Sequence, residues 1–245
     1  MRKTLIGLTA MIITTTTAIA ADMTDAERDA FRSEVRAYLL ENPEVLVEAM
    51  DILQGRQENE AAGRDLKMLQ DNAALIYQDP NSWVGGNPDG DVTVVEFTDY
   101  RCGYCRKAHD EVTELVKSDG NIRFVIKEFP ILGEQSLLSS QFAISVRQIY
   151  GDDAYKKAHD ALITLRADAT PESLARLATD LGHDPAAIAE QMKKPEVQAI
   201  IDANHALATT MEINGTPTFV VDKTMVRGYV PLEGMRQIVA GQRAG

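Results

Sequence analysis

Apolar side chains recur at helical spacing over the first third of the chain and crowd into short, β-branched runs further on. Phe31, Val35, Tyr38 and Leu39 share one helical face. Thr24-Asp25-Ala26-Glu27 just before them has the spacing of a capping box, in which a hydroxyl and a carboxylate satisfy free backbone donors. Asn42-Pro43 ends this helix, because Pro disfavours helical geometry in the preceding residue, and Pro43 suits the first turn of a second helix. Val45, Leu46, Ala49, Met50 and Leu53 give that helix an apolar face. Gln54 to Asp65 is almost wholly polar, and Leu66, Leu69, Ala73 and Ile76 resume the stripe. Residues 22–78 therefore have too little core of their own. They read either as a helical arm packed on the main domain or as an oligomerisation segment that buries its stripes against copies of itself.

Residues 79–91 hold two Pro and three Gly and read as a loop and domain boundary. Val92 to Thr98 is a buried strand in pattern, Cys102 to Lys117 a helix, and Asn121 to Phe129 a second strand. Residues 134–212 are helical throughout, punctuated by Gly151, Pro171, Gly182-His183-Asp184-Pro185 and Pro195. Thr218 to Asp222 and Met225 to Arg227 form a short hairpin, and Pro231 to Gln242 a last helix. The order is β-α-β, a helical block, then β-β-α, without repeats or low-complexity tracts.

With 245 residues, 44% hydrophobic, the chain has material for one full-sized domain and a smaller one. Residues 1–20 read as a signal peptide: Arg2 and Lys3 at the start, Leu5 to Ile19 as an apolar, Thr-rich middle, and Ala18-Ile19-Ala20 as a small-residue cleavage site. The mature chain is expected to begin near Ala21. A membrane anchor is the competing reading, but the stretch is short of the roughly 20 residues a span needs, and Thr14 to Thr17 dilute it. No later segment has the pattern of a span, so a soluble mature protein is expected. Removing Arg2 and Lys3 leaves 23 of the 25 basic residues against 37 acidic ones and takes the net charge from -12 to -14. A surface that acidic argues against nucleic acid or anionic lipid as a partner.

The only two cysteines, Cys102 and Cys105, lie in Tyr100-Arg101-Cys102-Gly103-Tyr104-Cys105, where the first strand gives way to a helix. A staple this short removes little unfolded-state entropy, so the pair is suited to reaction. Free N–H groups and the helix dipole favour a thiolate at Cys102, the species that attacks disulfides. Cys105, one turn in, is the expected resolving thiol that closes the Cys102–Cys105 disulfide. Half a zinc site is the alternative, but no other cysteine exists, and His109, His159, His183 and His205 lack paired ligand spacing. They read as surface or capping residues, with His109 alone facing the side of Cys102. No metal site and no nucleotide, flavin or haem cofactor is expected.

Glu96-Phe97-Thr98-Asp99-Tyr100-Arg101-Cys102-Gly103-Tyr104-Cys105, followed by Gly215-Thr216-Pro217-Thr218-Phe219, resembles the DsbA-like branch of the thioredoxin superfamily over about residues 85–242. The resemblance implies an α/β fold: a thioredoxin domain (85–245) with an inserted helical domain (about 134–212), preceded by the helical extension. It also implies a cis Pro217. Thr216 and Pro217, with Gly103 and Tyr104, would form the wall that receives a substrate strand beside Cys102. Glu96 matches the buried acid of many such proteins, and Lys127 on the neighbouring strand is the expected partner in a proton relay to Cys105; a surface-facing Glu96 is the alternative. Tyr38-Leu39-Leu40-Glu41-Asn42-Pro43-Glu44-Val45-Leu46 is similar to the oligomerising region of the suppressor-of-copper-sensitivity C (ScsC) subgroup, which implies a homo-oligomer through residues 22–78.

Gly103-Tyr104 and Thr216 are similar to the isomerase branch, whereas the strong oxidase has Pro-His and Val there. The expected activity is periplasmic disulfide isomerisation of exported, cysteine-containing proteins, with a DsbD-like membrane reductant keeping Cys102 reduced. The alternatives are a DsbA-type oxidase served by a DsbB-like oxidant, a reductase, and a copper-binding or holdase protein whose two soft thiolates ligate Cu(I).

Overall fold

The computed structural model describes residues 23–244, so the expected signal peptide lies outside the described residues. Two compact units make up the chain, one up to Gln57 and one from Glu58 onward.

In the first unit, α1 (Asp25–Glu41) starts at the expected capping box. The Thr24 N–H donates to Glu27 Oε2 at 2.8 Å, and the Glu27 N–H donates to Thr24 Oγ1 at 3.4 Å. The helix stops at Asn42, and α2 (Glu44–Asp71) begins just past Pro43. No residue of α1 is buried. Phe31, Tyr38, Leu40, Leu46, Met50 and Leu53 are each more than half exposed, so the described residues of this unit form no core of their own.

The second unit begins earlier than the sequence suggests. Leu69 near the end of α2 and Ile76 in α3 (Ala73–Tyr77) are buried with Val95, Phe97 and Leu207. The stretch 79–91, expected to be a loop, contains β1 (Trp83–Gly86). Four residues with two Gly carry no alternation, and tertiary contacts supply what the sequence lacks. Trp83 stacks on Tyr155 at 5.9 Å and meets Phe124 edge-on at 6.2 Å, while its indole N–H donates to the Asp152 carbonyl at 3.1 Å. Gly85 is required here, because a Cβ would fall 2.0 Å from the Trp83 ring.

β2 (Val92–Thr98) and β3 (Ile122–Glu128) run parallel, joined by α4 (Gly103–Asp119). The helices α5 (Glu134–Tyr150), α6 (Asp152–Thr164), α7 (Pro171–Asp180), α8 (Pro185–Met192) and α9 (Pro195–Thr210) then intervene before the hairpin of β4 (Thr218–Val221) and β5 (Thr224–Arg227). α10 (Leu232–Ala244) follows. The sheet order is β1-β3-β2-β4-β5, with every pairing antiparallel except that of β2 and β3. This is an α/β fold with a helical insertion and an N-terminal helical region.

Helices cover both faces of the sheet, so β2 is buried along almost its whole length, its polar residues Glu96 and Thr98 included. Val94, Ile126 and Phe219 pack on one face with Leu115, Phe142 and Met235; Val95, Phe97 and Val220 pack on the other with Ile76, Leu207 and Met211.

Candidate active site

Cys102 is the N-cap of α4, with extended backbone (φ -73°, ψ 120°), and Cys105 lies one turn inside. Both are free thiols; Cys105 is sealed off and Cys102 is 8% exposed. A hydrogen bond from the Cys105 side chain lowers the Cys102 pKa from 9.0 to about 5, with further help from the Thr216 side chain and the backbone N–H groups of Tyr104 and Cys105. Cys105 moves the opposite way. Its bond to Cys102, its burial and the charge of Glu96 hold its proton on far above the ordinary thiol range. One sulfur is thus a nucleophile at neutral pH and the other keeps a proton in reserve.

The loop before β4 comes up against this pair. The Thr216–Pro217 peptide is cis, and Cys102 Sγ lies 3.1 Å from the Thr216 carbonyl, to which it donates only in its protonated form. The Pro217 carbonyl accepts from Gly228 N–H at 2.9 Å and the Gly215 carbonyl from Thr218 Oγ1 at 2.8 Å, which fixes the loop. A groove of about 560 Å³ runs past Thr216 and Pro217, with Arg64, Asp65 and Arg227 on its walls. Arg227 holds Asp65 through two bonds of 2.6 and 2.8 Å. Gly103 has open space where a Cβ would be. Tyr104 is 63% exposed and stacks on Tyr229 at 6.3 Å, beneath Lys107.

Glu96 is 4% exposed, and burial pushes its pKa up to about 8, with the charges of Glu128 and Cys102 adding to the effect. The expected pairing with Lys127 is absent. Register explains why: Glu96 sits opposite Ile126 on β3, whereas Lys127 sits opposite Phe97. Neighbouring residues along a strand point to opposite faces, so the two charges are on different sides of the sheet. Lys127 Nζ instead donates to Asp79 Oδ2 at 2.8 Å and Ser82 Oγ at 2.9 Å. Glu128, opposite Thr98, is the β3 carboxylate on the Glu96 face.

Several site residues escaped the sequence reading. Asp99 is fully buried and accepts from Arg101 N–H, Ser136 Oγ and the N–H groups of Ile131 and Leu132 at 2.7–3.0 Å, pinning the turn into α4 to the turn after β3. Arg106 reaches from α4 to the Tyr100 and Leu165 carbonyls, both at 2.9 Å. Tyr100 and Tyr155 hydroxyls donate to Glu128 Oε1 at 2.7 and 2.6 Å, and Ser140 Oγ to Oε2 at 2.7 Å. Burial raises the Glu128 pKa to about 7. His159, expected at the surface, is 3% exposed and lies 3.0 Å by Nδ1 from the Tyr100 hydroxyl. Asp99 and Tyr100 lie within the stretch that carries the family resemblance, while Arg106, Glu128, Ser140, Tyr155 and His159 lie outside any motif.

A family model described as Thioredoxin matches residues 78–240, and one described as Copper resistance protein ScsC N-terminal domain matches residues 27–60. A thioredoxin-like oxidoreductase from Silicibacter pomeroyi DSS-3 is 41% identical over 70% of this chain and 98% of its own, with a TM-score of 0.66. ScsC of Proteus mirabilis in a transitional conformation is 25% identical over 91% of this chain and 97% of its own, also with a TM-score of 0.66. The Na(+)/H(+) antiporter NhaA 1 of Salinispora arenicola (strain CNS-205) is 29% identical over 70% of this chain, but the chain spans only 26% of that protein's length. The chain belongs to the thioredoxin family, and its residues 27–60 are similar to the ScsC N-terminal domain.

Proposed function

We propose that this protein is a periplasmic disulfide isomerase acting on exported proteins, and that it works as a homo-oligomer. The observation that carries the reading is the division of labour between a Cys102 thiolate with a pKa of about 5 and a sealed, protonated Cys105, beside the open groove at Thr216 and Pro217. Cys102 attacks a client disulfide, forming a mixed disulfide and releasing a client thiolate. A second client thiolate then attacks the mixed disulfide, forms the new client bond and returns Cys102 reduced. If no client thiolate arrives, Cys105 closes the ring and frees the client reduced. A membrane thiol reductant of the DsbD kind would restore the pair.

A Cys102 value of about 5 lies between roughly 7 in thioredoxin and roughly 3.5 in DsbA, which suits a sulfur that must both attack and leave. The exposed apolar side chains of α1 and the first half of α2 support self-association, since a face of that kind is buried against something. The basic, apolar and small-residue order of residues 1–20 supports export.

The test is reactivation of scrambled ribonuclease by the reduced protein, beside a version lacking residues 23–57. Residues 58–78 stay, because Leu69 and Ile76 belong to the core of the second unit. Reactivation by the longer protein alone supports an isomerase that depends on its extension. No reactivation, with fast oxidation of a dithiol peptide by the disulfide form, assigns the site to an oxidase.

The match of residues 27–60 to a copper resistance family favours a second reading, Cu(I) ligation by the two thiols. Stoichiometric Cu(I) uptake, lost in Cys102→Ser and unaccompanied by exchange activity, would establish it.

A further inference from the structure

His109 on α4, two helical turns beyond Cys102, faces His159 and Asp160 on α6. The three side chains each bring one ligand atom within 4.8 Å of the other two, though they are far apart in sequence. His109 Nε2 is 3.3 Å from Asp160 Oδ1, and the two imidazoles are 5.4 Å apart. A tetrahedral ion with bonds near 2.1 Å holds its ligand atoms about 3.4 Å apart. The His109–Asp160 edge already has that separation, and the other two edges lie within 4.8 Å.

What surrounds His159 prepares it as a ligand. The Tyr100 hydroxyl donates its one proton to Glu128, so its oxygen accepts from His159 Nδ1. That fixes the proton on Nδ1 and leaves a lone pair on Nε2. Carboxylate-backed orientation of this kind holds the imidazoles of metal sites in place. Burial of His159 against Tyr155 keeps the ring still. Asp160 is partly exposed and supplies the open, charged side of the cluster. Lys156 now holds both Asp160 oxygens at 2.6 Å and is the cation an ion would displace.

We propose that His109, His159 and Asp160 form a site for a divalent transition-metal ion of the zinc class, separate from the cysteine pair, which fastens the redox helix α4 to α6 of the insertion. Two imidazoles and a carboxylate suit Zn²⁺ or Co²⁺; they are too hard for Cu(I), and too rich in nitrogen for Mg²⁺ or Ca²⁺. Bound there, the ion ties the segment carrying Cys102 to the helices that follow β3.

The experiment uses the untagged chain with Cys102→Ser and Cys105→Ser, so that no thiol can ligate. Calorimetric titration with Zn²⁺ is expected to give one ion per chain, and Co²⁺ to give a visible spectrum without thiolate charge-transfer bands. Adding Asp160→Asn or His109→Gln should weaken Zn²⁺ at least tenfold and abolish the rise in melting temperature that the ion produces. Lys156→Met, which removes the competing cation, should tighten binding. Absence of stoichiometric binding in the serine background overturns the proposal. So does an affinity unchanged by Asp160→Asn and His109→Gln in protein of unaltered circular dichroism.

Discussion

Thr216 and Cys102, 114 positions apart, meet across the active site with the sulfur 3.1 Å from the Thr216 carbonyl oxygen. The Thr216 side chain also lowers the Cys102 pKa, after the larger contribution of the Cys105 thiol. Thiolate absorbance should titrate with a midpoint near pH 5 in the reduced protein. Thr216→Val should raise that midpoint, and Cys105→Ala, which removes the donor, should raise it more. Because the folded value lies below the ordinary 9.0, the stability gained from the thiolate is complete above pH 9, declines as pH falls, and is gone below about 5. Chemical denaturation of reduced wild type against Cys102→Ala across that range measures it.

Glu96 has the opposite linkage. Its pKa of about 8 lies above the ordinary 4.5, so between those values the folded chain holds a proton that the unfolded chain has lost, and stability falls as pH rises. Glu96→Gln should flatten the slope between pH 4.5 and 8, making the variant relatively more stable at the alkaline end. If Glu96 exchanges protons with Cys105, the variant should also resolve mixed disulfides about 10²-fold more slowly, the low end for a positioned acid or base. Stopped-flow quenching of a mixed-disulfide intermediate reads this directly. Equal rates and pH profiles in the two proteins would exclude the relay.

Lys127 belongs to a different account. Its side chain is 1% exposed and depends on Asp79 for its charge, so Asp79→Asn should destabilise the fold by about 3 kcal/mol. That is the low end for a broken buried pair, since Asp79 keeps some contact with water. Lys127→Met, which removes the buried charge itself, should leave the pH profile of thiol exchange unchanged. A shifted profile would put Lys127 back in the proton path.

These two residues show where the sequence was legible. The Cys-Gly-Tyr-Cys run was readable because its chemistry is local, and the Thr216–Pro217 step was implied by the family resemblance. β2 was readable because its β-branched and aromatic residues, Val92, Val94, Val95 and Phe97, mark a buried strand. The partner of Lys127 was not, because a one-residue offset in register decides the face and no local pattern encodes it. β1 was hidden for a related reason, since its four residues form a strand only by pairing with β3 and seating Trp83 against Tyr155. Glu128 and His159 join Tyr100 from other parts of the chain, and neither of them stands out in its own segment.

Asp65 tests the groove. Its paired bonds to Arg227 join the end of α2 to β5 beside Pro217. Asp65→Ala should cost about 1 kcal/mol in stability, as expected for a partly exposed bidentate pair. If clients lie along this wall, KM for a disulfide-bonded peptide should rise severalfold while kcat holds, the pattern of lost uniform binding. A change confined to kcat would place the peptide elsewhere.

The placement of α5–α9 between β3 and β4 separates two properties that the folded site shows together. Most of the reactivity is written into one short stretch, the turn into α4, with Thr216 adding a smaller share. On the proposed function, discrimination arrives from the far side of the insertion, on the loop that carries Thr216 and Pro217. A chain cut or opened ahead of β4 would lose the second and keep much of the first. Its mode of failure is therefore an indiscriminate thiol rather than an inert one, a hazard that grows in an oxidising compartment where unpaired cysteines of other proteins are within reach.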